Sequence, residues 1–173
     1  MAMAKGWEIH QIDVNNTFLH GDLDEEVYMR LLLGYSSQGH GVVCRLKKSL
    51  YGLRHASRNW YAKLVESMQH YGFRQSGVDH SLFVFNRGNV FLAALVYVDD
   101  ILVVGNNHEQ CTCFKRYLDQ CFCIKDLGPL RYFLGIEVIK MEFGLFLNQR
   151  KYVLDILMEC QMLGARPSPF PME

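Results

Sequence analysis

Phe91-Leu92-Ala93-Ala94-Leu95-Val96-Tyr97-Val98-Asp99-Asp100-Ile101-Leu102-Val103-Val104-Gly105 sets two apolar runs around a pair of aspartates. Phe91 to Val98 is too short to span a bilayer and reads as a buried strand, and Ile101 to Val104 reads as a second strand ended by Gly105. Two adjacent charges between such strands are costly unless they sit at a turn, in water, or on a cation. Taken alone, the pair reads equally well as the tip of a hairpin, where Asp is common.

Outward from this pair, strands and helices alternate. Upstream, Asn86-Arg87-Gly88-Asn89 supplies turn chemistry behind a strand over Leu82 to Phe85. Trp60, Leu64, Met68 and Tyr71 recur at helical spacing, with Ser57 as the expected N-cap and Gly72 as C′. Trp7 to Val14, Val27 to Met29 and Val42 to Leu46 read as strands, and Gly34 to Gly41 as a polar loop. Downstream, Asn107 caps an expected helix with Cys111, Phe114, Leu118 and Cys121 on one face. Phe133 to Ile139 and Leu145 to Leu147 frame Gly144 as a hairpin, and a last amphipathic helix covers Gln149 to Cys160. The expected class is α+β, a sheet covered by helices on one face. One domain spans residues 1–165, and the Pro-rich stretch 166–173 reads as a linker.

Composition narrows the function. Half of the 173 residues are hydrophobic and 13% are aromatic, which excludes a disordered chain. Eighteen basic residues balance eighteen acidic ones, so any affinity for nucleic acid must come from local charge. From Gly41 to Val65 there is no Asp or Glu, while Arg45, Lys47, Lys48, Arg54, Arg58 and Lys63 are interleaved with Tyr51, Trp60 and Tyr61. Such a patch suits phosphates and stacked bases; the plainer alternative is a solvated helix face with Trp60 in the core. The first eight residues hold no apolar signal segment, so an intracellular protein with reduced thiols, away from membranes, is expected. Cys111-x-Cys113 and Cys121-x-Cys123 look like paired ligands, but residues two apart diverge on a helix, and core cysteine is the better reading.

A third carboxylate bears on Asp99-Asp100. Asp13 ends the apolar strand Ile9 to Val14. If both strands deliver their aspartates to one sheet end, the result is a hard oxygen site suited to Mg²⁺. Spacing alone does not bring Asp13 to Asp99.

Four segments in order carry a family resemblance. Gln11-Ile12-Asp13-Val14-Asn15-Asn16-Thr17-Phe18-Leu19-His20-Gly21-Asp22-Leu23 resembles motif A of copia-type LTR retrotransposon reverse transcriptases. Cys44-Arg45-Leu46-Lys47-Lys48-Ser49-Leu50-Tyr51-Gly52-Leu53-Arg54 resembles motif B, and Tyr97-Val98-Asp99-Asp100 resembles motif C. Lys125-Asp126-Leu127-Gly128 with Tyr132-Phe133-Leu134-Gly135-Ile136 is similar to the family's downstream signature. The resemblance implies a reverse-transcriptase palm, a ferredoxin-like antiparallel sheet with helices on one face, lacking most of the fingers. It implies RNA-directed DNA polymerase (nucleotidyltransferase) activity with Mg²⁺ or Mn²⁺ as cofactor. Asp13, Asp99 and Asp100 would be the catalytic, metal-binding carboxylates. Adjacent strand residues point opposite ways, so Asp13 and Asp99 are expected to touch metal and Asp100 to contribute charge.

The same resemblance places Phe18, Tyr51 and Gly52 at the nucleotide, with Phe18 excluding a 2′-hydroxyl; a core Phe on a short helix is the alternative. Lys47, Lys48, Arg54, Phe133, Leu134 and Gly135 would hold nucleic acid, the last three as a primer-grip hairpin. Lys125 matches a basic position near the triphosphate. The implied partners are RNA/DNA template-primer, deoxynucleoside triphosphates, and separate fingers or RNase H segments. Ser57 stands where the family has Pro, and Leu31 to Tyr35 replaces a proline-containing turn. With motif A so near the start, little or no unaided primer extension is expected. Two function classes follow: a polymerase palm, or a catalytically inactive retroelement remnant that at most binds nucleic acid.

Overall fold

A computed structural model describes residues 5–31, 42–142 and 144–166. The polar loop Gly34 to Gly41 and the prolines of the C-terminal stretch lie outside the described residues. In chain order the elements are β1 (Ile9–Val14), a 3₁₀ turn (Thr17–His20), β2 (Tyr28–Arg30), β3 (Val43–Arg45), α1 (Ala56–Tyr71), β4 (Arg74–Gln75), β5 (Leu82–Arg87) and β6 (Val90–Tyr97). There follow β7 (Asp100–Gly105), α2 (His108–Phe122), β8 (Ile124–Pro129), β9 (Tyr132–Phe133), β10 (Ile136–Met141), β11 (Gly144–Asn148) and α3 (Arg150–Glu159).

The main sheet is antiparallel, in the order β4-β5-β6-β7-β1-β8. β1, α1, β6, β7, α2 and β8 make a split β-α-β-β-α-β unit, in which β1 lies between β7 and β8. Period-two alternation sets the faces. Ile12, Val14, Ile101, Val103, Leu92, Ala94 and Val96 are buried against Trp60, Leu64 and Met68 of α1 and Phe114, Leu118 and Phe122 of α2. The residues between them, including Gln11, Asp13, Leu102 and Asp100, occupy the opposite face.

Several expectations are corrected. α1 begins at Ala56 with His55 at the N-cap and no side-chain cap, so Ser57 lies inside the first turn. Gly72 does take the left-handed position, at φ +111°. Asn107 caps α2 through its side-chain oxygen, which accepts from the Gln110 N–H at 2.8 Å. The apolar face of α2 closes with Phe122, while Cys121 is exposed: the step of three from Leu118 carries Cys121 past the stripe that a step of four keeps. α3 does not cover the main sheet. It packs on β10 in a smaller sheet, β11-β10-β9, and buries none of its own residues. β8 was not legible as a strand because Ile-Lys-Asp-Leu-Gly-Pro lacks alternation. No helix among the described residues is long and apolar enough to cross a membrane.

Gly105 ends β7 where nothing larger fits. A Cβ there would overlap the Leu92 side chain and stand 2.8 Å from the Phe91 carbonyl oxygen and 3.2 Å from Cys111 Sγ. Gly105→Ala is therefore expected to destabilise the fold by about 1–3 kcal/mol, the cost of overpacking a closed core. Urea denaturation checks this; an unchanged midpoint would contradict the packing described.

Candidate active site

Asp13 and Asp100 face each other across the β1–β7 ladder, each the register partner of the other. Directly opposed residues share a sheet face, so both carboxylates lie on the face away from the helices. Gln11, two residues before Asp13, donates from Nε2 to Asp100 Oδ1 at 2.9 Å. Asp99 sits in the two-residue turn between β6 and β7, where Tyr97 pairs with Asp100. The Val14 N–H donates to the Asp99 carbonyl at 2.9 Å, tying the end of β1 to this turn. Lys125 of β8 stands opposite Asp13 on its other side.

Burial pushes the Asp13 carboxyl above its ordinary value; the negative charges of Asp99 and then Asp100 push the same way, against Lys125. The carboxylates are nevertheless held apart, since no set of oxygens from all three lies mutually within 4.8 Å. Asp13, desolvated and repelled by two neighbouring carboxylates with one facing lysine, brings hard oxygen donors of the kind a divalent cation takes.

The turn itself is strained. Val98 has φ +54°, whereas Asp99 does not adopt a positive φ. In a two-residue hairpin that pattern calls for glycine at the first position, and a β-branched residue there is an outlier. What holds it is Trp60. The indole is fully buried, and its Nε1–H donates to the Val98 carbonyl at 2.8 Å. Phe122 meets the same indole edge-on, with ring centroids 5.0 Å apart. Trp60 was read from the sequence as core; its hold on the turn was missed because no local pattern links residues 60 and 98.

The motif A and motif B segments meet at α1. A Cβ on Gly21 would lie 3.0 Å from the Trp60 backbone nitrogen, and the Ser49 N–H donates to the Gly21 carbonyl at 3.1 Å. Beyond this junction Phe18 and Tyr51 pair, with ring centroids 4.5 Å apart. Phe18 is partly buried and Tyr51 is 61% exposed, beside Gly52 at φ +91°.

The basic segment is less free than its composition suggested. Lys48 is ion-paired with Asp22, Arg45 with Glu26 at 2.8 Å, and Lys63 with Glu66 at 3.1 Å. The acidic stretch 22–26 thus neutralises part of it, through the β2–β3 register and the Asp22–Lys48 bridge. Lys47 and Arg54 are exposed, with no ion pair among the described residues. Phe133, Leu134 and Gly135 turn the β9–β10 hairpin, Leu134 at φ +49° and Gly135 at φ +81°. This hairpin belongs to the smaller sheet and follows β8 at the end where the Leu130 N–H donates to the Ile9 carbonyl, remote along β1 from Asp13. Cys113, Cys121 and Cys123 are exposed free thiols, and no cysteine joins a metal-ligand cluster among the described residues.

Two mutants test the geometry. A carboxyl whose folded pKa is raised contributes stability fully present below its unfolded value, near 3.8, and lost as pH rises through the folded one. Metal-free Asp13→Asn is therefore expected to melt above the wild type at pH 7 and to lose that advantage as pH falls toward 3.8. A melting temperature below the wild type's at pH 7 would contradict it. Trp60→Phe leaves the Val98 carbonyl without its donor and is expected to cost about 1–3 kcal/mol in chemical denaturation. A loss no larger than that of a surface substitution would contradict the hold on the turn.

Comparison with known proteins places the whole chain. Residues 1–173 match the family described as reverse transcriptase (RNA-dependent DNA polymerase). The chain is 43% identical to the retrovirus-related Pol polyprotein from transposon RE1 and 44% identical to that from transposon RE2, both of Arabidopsis thaliana. Each match covers 99% of this chain and 12% of the polyprotein. The Pol polyprotein from transposon TNT 1-94 of Nicotiana tabacum is 36% identical over 99% of the chain and 13% of its own length. No solved structure matches.

Proposed function

Because this chain belongs to the reverse transcriptase family, among the copia-type Pol polyproteins, we propose that its main sheet is the ferredoxin-like palm of an RNA-directed DNA polymerase and that Asp13, Asp99 and Asp100 are its catalytic carboxylates. The observation that carries this reading is the Asp13–Asp100 register pair, with Asp99 in the adjoining turn.

In this reading Asp13 and Asp99 present oxygens to divalent cations, Mg²⁺ or Mn²⁺. Asp100, engaged by Gln11, contributes charge. When bound, a pair of such cations lowers the barrier for attack by a primer 3′-hydroxyl and stabilises the departing pyrophosphate. Lys125, across from Asp13, offsets part of the local charge and faces incoming triphosphate. Phe18, its ring tilted against that of Tyr51, forms a wall at the sugar, where its bulk excludes a 2′-hydroxyl. Gly52 lets the backbone approach the nucleotide, while Lys47 and Arg54 meet template or primer phosphates. Lys48, held by Asp22, shapes that segment. Phe133, Leu134 and Gly135 provide a primer-holding hairpin. The chain spans about an eighth of its relatives' length, so the substrates and partners of a whole polyprotein extend this reading.

A second reading, a remnant that binds nucleic acid without chemistry, draws on the separation of the three carboxylates. Mn²⁺ binding followed by electron paramagnetic resonance, with template-primer present, tests the site. Asp13→Asn and Asp99→Asn are each expected to weaken binding at least about tenfold, as loss of a ligand does. Affinity unchanged in both variants would contradict the metal site. Metal-dependent extension on an RNA template, lost in Asp99→Asn, distinguishes the polymerase; metal binding without extension, even with a separate fingers segment supplied, assigns the second reading.

A further inference from the structure

Glu8, His10 and His108 bring three ligand atoms within 4.8 Å of one another. They arrive from two elements. Glu8 and His10 are two residues apart on extended chain and so project from one face. That face is the helix-covered one, since His10 alternates with Gln11 and shares the parity of buried Ile12 and Val14. His108 is the first residue of α2, which begins just after β7 ends at Gly105. The aspartates lie on the other face of the same sheet, so this is a separate place in the molecule.

We propose that Glu8, His10 and His108 form a three-ligand site for a borderline divalent cation of the Zn²⁺ or Co²⁺ class. Two imidazoles and one carboxylate, with a fourth position left to water, is a set such ions accept in tetrahedral geometry. Soft ions would prefer the thiols, and Mg²⁺ prefers oxygens alone. Burial, then the neighbouring Lys115 charge, lower the His10 pKa against the pull of Asp126 and Glu8, in the direction of the neutral imidazole a ligand needs. Its side chain is only 11% exposed, so its ring is fixed by its surroundings. A cavity of about 510 Å³ beside it, lined by His10, His108, Lys115 and Arg116, gives an entering ion and its water room.

One neighbour opposes binding. The Lys115 ammonium donates to His10 Nδ1 at 3.0 Å and to Asp126 Oδ2 at 2.8 Å. With Nδ1 accepting, the ring proton sits on Nε2, the nitrogen that faces Glu8 at 3.5 Å. Coordination through Nε2 moves this proton to Nδ1. Lys115, which keeps its bond to Asp126, must then give up Nδ1. An anion is a poorer occupant of the same space. Asp119 and Asp126 line it, Glu8 stands at His10, and Asp126 already neutralises Lys115. A bound ion would tie the start of β1 to the start of α2.

Lys115 makes the proposal specific, because its removal should strengthen binding while removal of a ligand weakens it. The test is Co²⁺ titration of the whole chain by absorption spectroscopy, with the metal alone as probe. Expected are d–d bands without sulfur-to-cobalt charge transfer, an affinity at least about tenfold lower in His108→Ala, and a higher one in Lys115→Met. Because His108 is exposed, its replacement leaves the fold intact, and circular dichroism verifies this. Equal affinity in the wild type and His108→Ala would overturn the site, and so would a thiolate band that persists in that variant.

Discussion

The hydrogen bond from the buried Trp60 indole to the Val98 carbonyl is the constraint on which the carboxylate geometry rests. Val98 holds a backbone conformation that its branched side chain disfavours, and such strain persists only when surrounding contacts over-determine it. Here Trp60 fixes the carbonyl from beneath while the Val14 N–H fixes Asp99 from the side. Between them they place Asp99 at the hairpin tip and start β7 at Asp100, opposite Asp13. Phe122 locks the indole from α2, so both helices support one turn.

Stability and the candidate chemistry pull against each other at this end of the sheet. Like charges are set on a half-buried face, with Lys125 as partial compensation. The opposite face does the stabilising: α1 and α2 bury a continuous apolar layer there. The acidic stretch 22–26 adds a second economy by holding Arg45, Lys48 and Lys63. That leaves Lys47, Arg54 and Arg58 without an ion pair among the described residues, in a segment first read as uniformly basic.

Much of the fold was legible because it is written in local periods. Short apolar runs bounded by turn residues or charges gave β1, β5, β6 and β7 to within a residue or two, and the four-and-three spacing gave α1 and α2. β8 escaped because its pairing with β1 draws on backbone groups that a Lys-Asp-Leu-Gly sequence supplies as well as an apolar one. α3 was legible as amphipathic, but its partner was not, since an apolar stripe does not say which sheet it packs against. The three aspartates were legible as types in a motif order. Their facing register, the Trp60 support and the Glu8–His10–His108 cluster depend on contacts between residues far apart in the chain, which no window of sequence contains.

Mn²⁺-induced broadening of amide resonances tests the central claim most directly, because it reports distance from the ion without needing catalysis. Expected is the strongest broadening at Asp13, Val14, Val98 to Ile101 and Lys125, with the β10–β11 hairpin and α3 unaffected. Broadening centred away from the Val98-Asp99 turn, or spread evenly over the exposed carboxylates, would contradict the account.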